Sequence, residues 1–144
     1  MKLLPHIPRS RMTYKKTRKA SDEYKEENDC SVVAVAIAGK VSYEMAHAAL
    51  KKVGRKDRKG ATTRVISAAF GSIGAEQIKI PIGKLMKKNN GVGLTPNNIV
   101  KHLSKYRNYI AYTSSHVIAI RKGIVQDWTD GKRHKITEVY EIKR

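Results

Sequence analysis

The first clear pattern along the chain is a run that is apolar on every face. Cys30-Ser31-Val32-Val33-Ala34-Val35-Ala36-Ile37-Ala38 follows the capping residues Asn28 and Asp29 and closes at Gly39. Such a run is either a buried strand or a buried helix; the caps and three alanines favour a central buried helix. Ser42 then caps an amphipathic stretch from Tyr43 to Val53, with Glu44 early, Lys51 and Lys52 late and Gly54 as the stop, an order that suits the helix dipole. A third helix is expected from about Thr63 to Ile73, where Val65, Ile66, Ala69 and Ile73 fall at helical spacing. A fourth is expected from Thr95-Pro96, with proline at the first helical position and Ile99, Val100 and Leu103 on its apolar face.

After Tyr106 the period changes to two and β-branched residues dominate. Strands are expected at Tyr109–Thr113, His116–Arg121, Ile124–Trp128 and Ile136–Ile142, with a short one at Gln77–Ile80 before Pro81. Tight turns fall at Lys122-Gly123 and Asp130-Gly131. Helices first and strands last predict an α+β domain, with its central N-terminal helix packed on a C-terminal antiparallel meander.

The 144 residues suit one domain, 22–144, preceded by a basic arm, 1–21. Thirty Lys and Arg against twelve Asp and Glu give a net charge of +18. Positive charge gathers in the arm (Lys15, Lys16, Arg18 and Lys19 among others), in a second block holding Arg55, Lys56, Arg58 and Lys59, and at Lys84, Lys87 and Lys88. Such blocks fit a nucleic acid or other polyanion, and equally a solvated basic surface. The longest uncharged apolar run is far short of the ~20 residues a membrane span needs, and no export signal precedes it, so a cytoplasmic protein is expected. A single cysteine excludes an internal disulfide and a cysteine-rich metal site; no metal or other cofactor is expected.

The candidate chemistry centres on that cysteine. Cys30 falls in the first turn of the buried helix, where unpaired N–H groups and the helix dipole favour a thiolate. If Lys122 and Gly123 form a two-residue loop, residues whose numbers sum to 245 face each other, so 118 opposes 127. His116 and Asp127 then become diagonal cross-strand neighbours on one face, and a carboxylate on an apolar face needs such a partner. A three-residue loop would separate them. Cys30, His116 and Asp127 together make a nucleophile, base and orienter. The Cys30 backbone N–H and the Asn28 amide are the candidate oxyanion donors.

Of the remaining histidines, His47 and His102 read as surface or satisfied helical residues, and His6 and His134 as loop residues. Gly71-Ser72-Ile73-Gly74 matches the GXXG loop of KH domains, but Gly74 fits better as a helix stop. Trp128 reads as packing beneath the sheet.

The order Asn28-Asp29-Cys30, then small helices, then His116-Val117-Ile118-Ala119-Ile120, then Gly123-Ile124-Val125-Gln126-Asp127 resembles the papain-like cysteine peptidases, especially small phage-encoded and bacteriocin-processing members. The helix Glu44–Leu50 and Gly54-Arg55-Lys56 add to the likeness, which spans about residues 25–142. The resemblance implies a papain-like fold and hydrolysis of peptide or isopeptide bonds through a thioester, with a peptide or protein substrate. It also implies a host-cytoplasmic or virion setting. The family's oxyanion glutamine is missing, since Lys25 and Tyr24 stand where it would be. The alternatives are a basic nucleic-acid-binding protein with Cys30 in its core, and a papain-like binding domain without activity.

Overall fold

The computed structural model describes residues 29–56, 61–127 and 129–144. Among these, four α-helices and a five-stranded antiparallel sheet form an α+β arrangement. Helix α1 (Cys30–Gly39), α2 (Tyr43–Lys52) and α3 (Thr63–Ser72) precede strand β1 (Glu76–Ile80) and helix α4 (Ile82–Lys88). Strands β2 (Asn108–Tyr112), β3 (Val117–Arg121), β4 (Ile124–Val125) and β5 (Glu138–Lys143) follow.

Helix α1 is buried from Ser31 to Gly39. Its three valines and one isoleucine each cost about 0.5 kcal/mol of helix propensity relative to alanine, but burying each contributes roughly 2 kcal/mol. Packing therefore decides the conformation, and α1 lies against β3, α2 and α3. The helix ends one residue later than Gly39 predicts: Lys40 takes the left-handed conformation, φ 58°, and its N–H meets Ala36 and Ile37 carbonyls. Gly39 serves close approach instead, because a Cβ there would lie 2.6 Å from Ile73 Cδ1. The Arg144 guanidinium donates to the Gly39 and Ile73 carbonyls at 2.6 and 3.0 Å, tying the last described residue to the ends of α1 and α3.

Caps on the next two helices follow the expected chemistry. Ser42 Oγ accepts from the Met45 N–H at 3.1 Å and Thr62 Oγ1 from the Val65 N–H at 3.2 Å. Asp29 does not follow it. It occupies the N-cap position of α1 without a side-chain cap bond, and its carboxylate accepts from Tyr43 Oη at 2.8 Å.

The helix expected from Thr95-Pro96 is replaced by turns and a single 3₁₀ turn at Val100–His102. Asn98 accounts for this: its Oδ1 accepts from the Thr95 N–H and its Nδ2 donates to the Gly93 carbonyl, at 2.9 and 3.0 Å. Local side-chain bonds of this kind compete with helical pairing. Helix α4, by contrast, gives little sequence signal, because only Leu85 in its seven residues is buried.

The sheet order is β1-β5-β2-β3-β4, so the expected simple meander is corrected. Strand β5 lies between β1 and β2 and does not pair with β4. The reason is ladder length: β4 has two residues, whereas β2 and β1 each offer β5 a five-residue ladder. The segment expected as one strand to Trp128 leaves the sheet after Val125, and the segment from His116 enters it at Val117.

Alternation divides the sheet between two cores. Ile110, Tyr112, Val117 and Ala119 join the core under α1–α3. Tyr109, Ala111, Ile118, Ile120 and Val125 join a second core under α4, Leu94 and Ile99. The result is a sheet covered on both faces. No helix among the described residues is long and apolar enough to cross a membrane.

Candidate active site

The hairpin that sets the site has the predicted register. Lys122 and Gly123 both have positive φ, 56° and 72°, as a two-residue type I′ turn requires. Ile120 pairs with Val125 and Arg121 with Ile124, and the Gln126 N–H continues the ladder to the Ala119 carbonyl at 2.8 Å. The register carries Asp127 to His116 just beyond the paired residues. His116 Nε2 and Asp127 Oδ2 are 2.8 Å apart, with side chains 15% and 5% exposed.

The same imidazole lies close enough to Cys30 to feel it electrostatically, and the two side chains line one cleft. Burial opposes a charge on His116, but the bond to Asp127 and the neighbouring Cys30 outweigh it and raise the ring pKa from 6.5 to about 9. His116 is therefore held as an imidazolium through neutral pH. Cys30 is partly exposed at the first turn of α1, whose N-cap carboxylate is turned to Tyr43. That carboxylate thus leaves the first-turn N–H groups uncapped, as an oxyanion donor must be.

Thr129 is the residue that sequence reasoning missed. It is fully buried, and both its N–H and its Oγ1 donate to Asp127 Oδ2, at 3.1 and 2.7 Å. One carboxylate oxygen thus accepts from the imidazole and twice from Thr129. The D-x-T spacing is a recognisable Asx-type turn, the one signal in the sequence that points to it. Thr129→Val keeps the shape and the N–H but deletes the hydroxyl donor. It is expected to cost about 2 kcal/mol, as charge-assisted bonds do, and to shift the pH profile of Cys30 alkylation downward, because the less satisfied carboxylate binds the imidazolium more tightly and a more firmly held imidazolium favours the thiolate. Thr129→Ser should restore both. A profile that stays put while stability falls would limit Thr129 to a packing role.

Cys30 and His116 open onto a cleft of about 370 Å³ walled by Thr62, Thr63, Ile66, Tyr112, Ser114 and Ser115, among others. Its polar groups are hydroxyls. Tyr112 Oη donates to Gln77 Oε1 at 3.0 Å, and burial with the nearby Tyr140 and Glu138 pushes its pKa well up, so the phenol stays neutral.

The other named residues fall elsewhere. Asn28, Lys15, Lys16, Arg18, Lys19, Arg58, Lys59 and Trp128 lie outside the described residues. Lys56 is exposed, but Arg55 is only 3% exposed, which corrects its reading as a surface phosphate contact. The Arg55 N–H bonds to the Leu50 carbonyl at 2.8 Å at the end of α2, which draws the residue inward. His102 is satisfied by Asn89 Oδ1 at 2.9 Å, and His47 packs against the Tyr43 ring. Among the described residues no group of three or more His, Cys, Asp or Glu is placed to hold a metal ion. Compared with family models, curated proteins and solved structures, the chain matches none of them.

Proposed function

We propose that this chain is a cysteine peptidase of papain-like arrangement, cleaving peptide or isopeptide bonds. The observation that carries the reading is one imidazole that hydrogen-bonds a buried, doubly supported carboxylate and shares a cleft with the only cysteine of the chain. In this scheme the Cys30 thiolate attacks the substrate carbonyl carbon, and the carbonyl π electrons move to oxygen. First-turn N–H groups of α1, that of Cys30 foremost, receive the oxyanion. As the tetrahedral intermediate collapses, the C–N bond breaks and His116 Nδ1–H protonates the leaving amine, leaving a thioester on Sγ. His116 then takes a proton from water, whose oxygen attacks the thioester and releases the carboxylic acid and the thiolate. Asp127 fixes the ring and its tautomer throughout.

The test is alkylation of the native chain with iodoacetamide across pH, with the modified residue located by mass spectrometry. Cys30 should be labelled at neutral pH or below, and a peptidyl electrophile that fits the cleft should label it faster. Labelling confined to pH above about 8.5, the ordinary thiol range, or to unfolded protein would remove the basis of the proposal.

A further inference from the structure

The second face of the sheet carries a different property. From Pro81 to Thr137 every lysine is exposed, while the only acids are Asp127, which is buried in the site, and Asp130. Lys84, Lys87 and Lys88 stand on α4 over the second core. The end of α4 is joined to Lys101 through the 2.9 Å contact of Asn89 Oδ1 with His102 Nε2. Burial, then the charges of Lys101 and Lys88, lower the His102 pKa, which places both lysines within electrostatic reach of one ring.

The cationic strip continues across the hairpin. Lys105 lies against the Lys122-Gly123 turn so closely that a Cβ on Gly123 would be 3.2 Å from Lys105 Cβ. The Lys132 carbonyl accepts from the Asn97 N–H at 3.0 Å, and Arg133 and Lys135 follow it, both exposed. Between these segments runs an open groove of about 260 Å³, lined by Pro96, Asn97, Val100, Gly123 and Ile124, with Asp130 as its one charged wall. Lys101, Lys122 and Lys132 are chain neighbours of that lining.

These cations differ from others on the molecule. Lys79 and Arg107 pair with Glu138 and Glu141, and Lys40, Lys51 and Arg144 make contacts of their own. Lys84, Lys87, Lys88, Lys101 and Lys132 have no ion-pair partner among the described residues. Holding so many like charges together without anions is unfavourable, and a polyanion that replaces their counterions relieves it.

We infer that this face, from α4 across the Lys122-Gly123 hairpin turn, binds the phosphate backbone of nucleic acid. Nucleic acid fits better than an anionic membrane. The face is built from turns and a seven-residue helix, with no long amphipathic helix to lie in a bilayer surface. Its most exposed apolar group is Tyr106, 86% exposed with Lys105 Nζ 5.3 Å from its ring centroid, a pairing suited to sugar and base surfaces. The groove shares no residue with the Cys30 cleft, so the cleft stays open when the face is occupied. The inference is independent of the peptidase reading.

The experiment measures binding of the full chain to a fluorescent DNA duplex of about 20 base pairs from ~50 to 200 mM salt. Three variants each lose four charges: Lys87, Lys101, Lys105 and Lys132→Gln on the proposed face; Lys51, Lys52, Lys56 and Arg64→Gln on the helical side; Lys15, Lys16, Arg18 and Lys19→Gln in the basic arm. The face variant should bind at least ~100-fold more weakly near 0.1 M salt and lose about 3 from the magnitude of the salt slope, which is ~0.9 per phosphate contact. The other two should change the slope by less than half as much. Equal losses in all three variants would mean net charge alone, and the largest loss in the arm variant would place the contact there; either result overturns the inference. So would binding to phosphatidylserine vesicles without binding to the duplex. Cys30→Ala should bind as the parent does, so a failed alkylation test leaves this result standing.

Discussion

Replacing His116 with alanine is expected to slow hydrolysis of a peptide substrate by roughly 10²–10⁴-fold, the usual range for loss of a general acid–base. In the same variant, alkylation of Cys30 should move to the ordinary thiol range near pH 8.5. The two readouts belong together, because in the proposed mechanism the imidazole both holds the thiolate and carries the proton to the leaving group. The substitution leaves the β3 ladder in place, since His116 precedes β3, but strands the buried Asp127 carboxylate on its two Thr129 donors, so both readouts are taken where unfolding curves show the variant folded. A His116→Ala chain whose alkylation profile matches the parent's would show that thiol and imidazole are uncoupled, and the proposed mechanism would fail.

The second large effect is on stability. Asp127→Ala strands the imidazolium and two Thr129 donors in a site only 5–15% exposed, and removal of one partner from a buried pair costs about 3 kcal/mol or more. The pH dependence separates this from simple loss of packing. A ring pKa raised from 6.5 in the unfolded chain to about 9 in the folded one contributes stability that is fully present below pH 6.5. That stability is lost as pH rises through about 9, and amounts to about 3 kcal/mol when spread over the shift. Denaturant unfolding should therefore show a wide gap between parent and Asp127→Ala at pH 6 and a clearly narrower one at pH 9.5. A gap that is constant with pH would mean that the aspartate matters only through packing.

Much of this site is legible in the sequence because it depends on one tight turn. Lys122-Gly123 fixes the two-residue loop, the loop fixes the pairing, and the pairing brings Asp127 to His116. The α1 helix is also legible, since nine apolar or small residues in succession leave a buried element as the only stable outcome. The support from Thr129 is not. It depends on a turn two residues past the end of β4, where no hydrophobic pattern runs. The oxyanion assignment to Asn28 rests on sequence position alone, as that residue lies outside the described structure.

The sequence by itself therefore determined the local matters: the α1 helix and its cysteine, the hairpin register, and the carboxylate beside the imidazole. Short turns and period-two alternation act over a few residues and leave little freedom. The tertiary structure decided where β5 lies and which sheet face meets α1. It also decided that Cys30 reaches His116 at all. Residues of His116's parity, Ile118 and Ile120, face the second core, while α1 packs over Val117 and Ala119. Strict alternation would have turned His116 away from the cysteine. Because β3 begins only at Val117, His116 sits in the connection from β2, its carbonyl accepting from the Thr113 N–H at 2.8 Å, and its side chain is not bound by the alternation of the strand. That depends on where the sheet stops being paired, which long-range burial sets and no local pattern records.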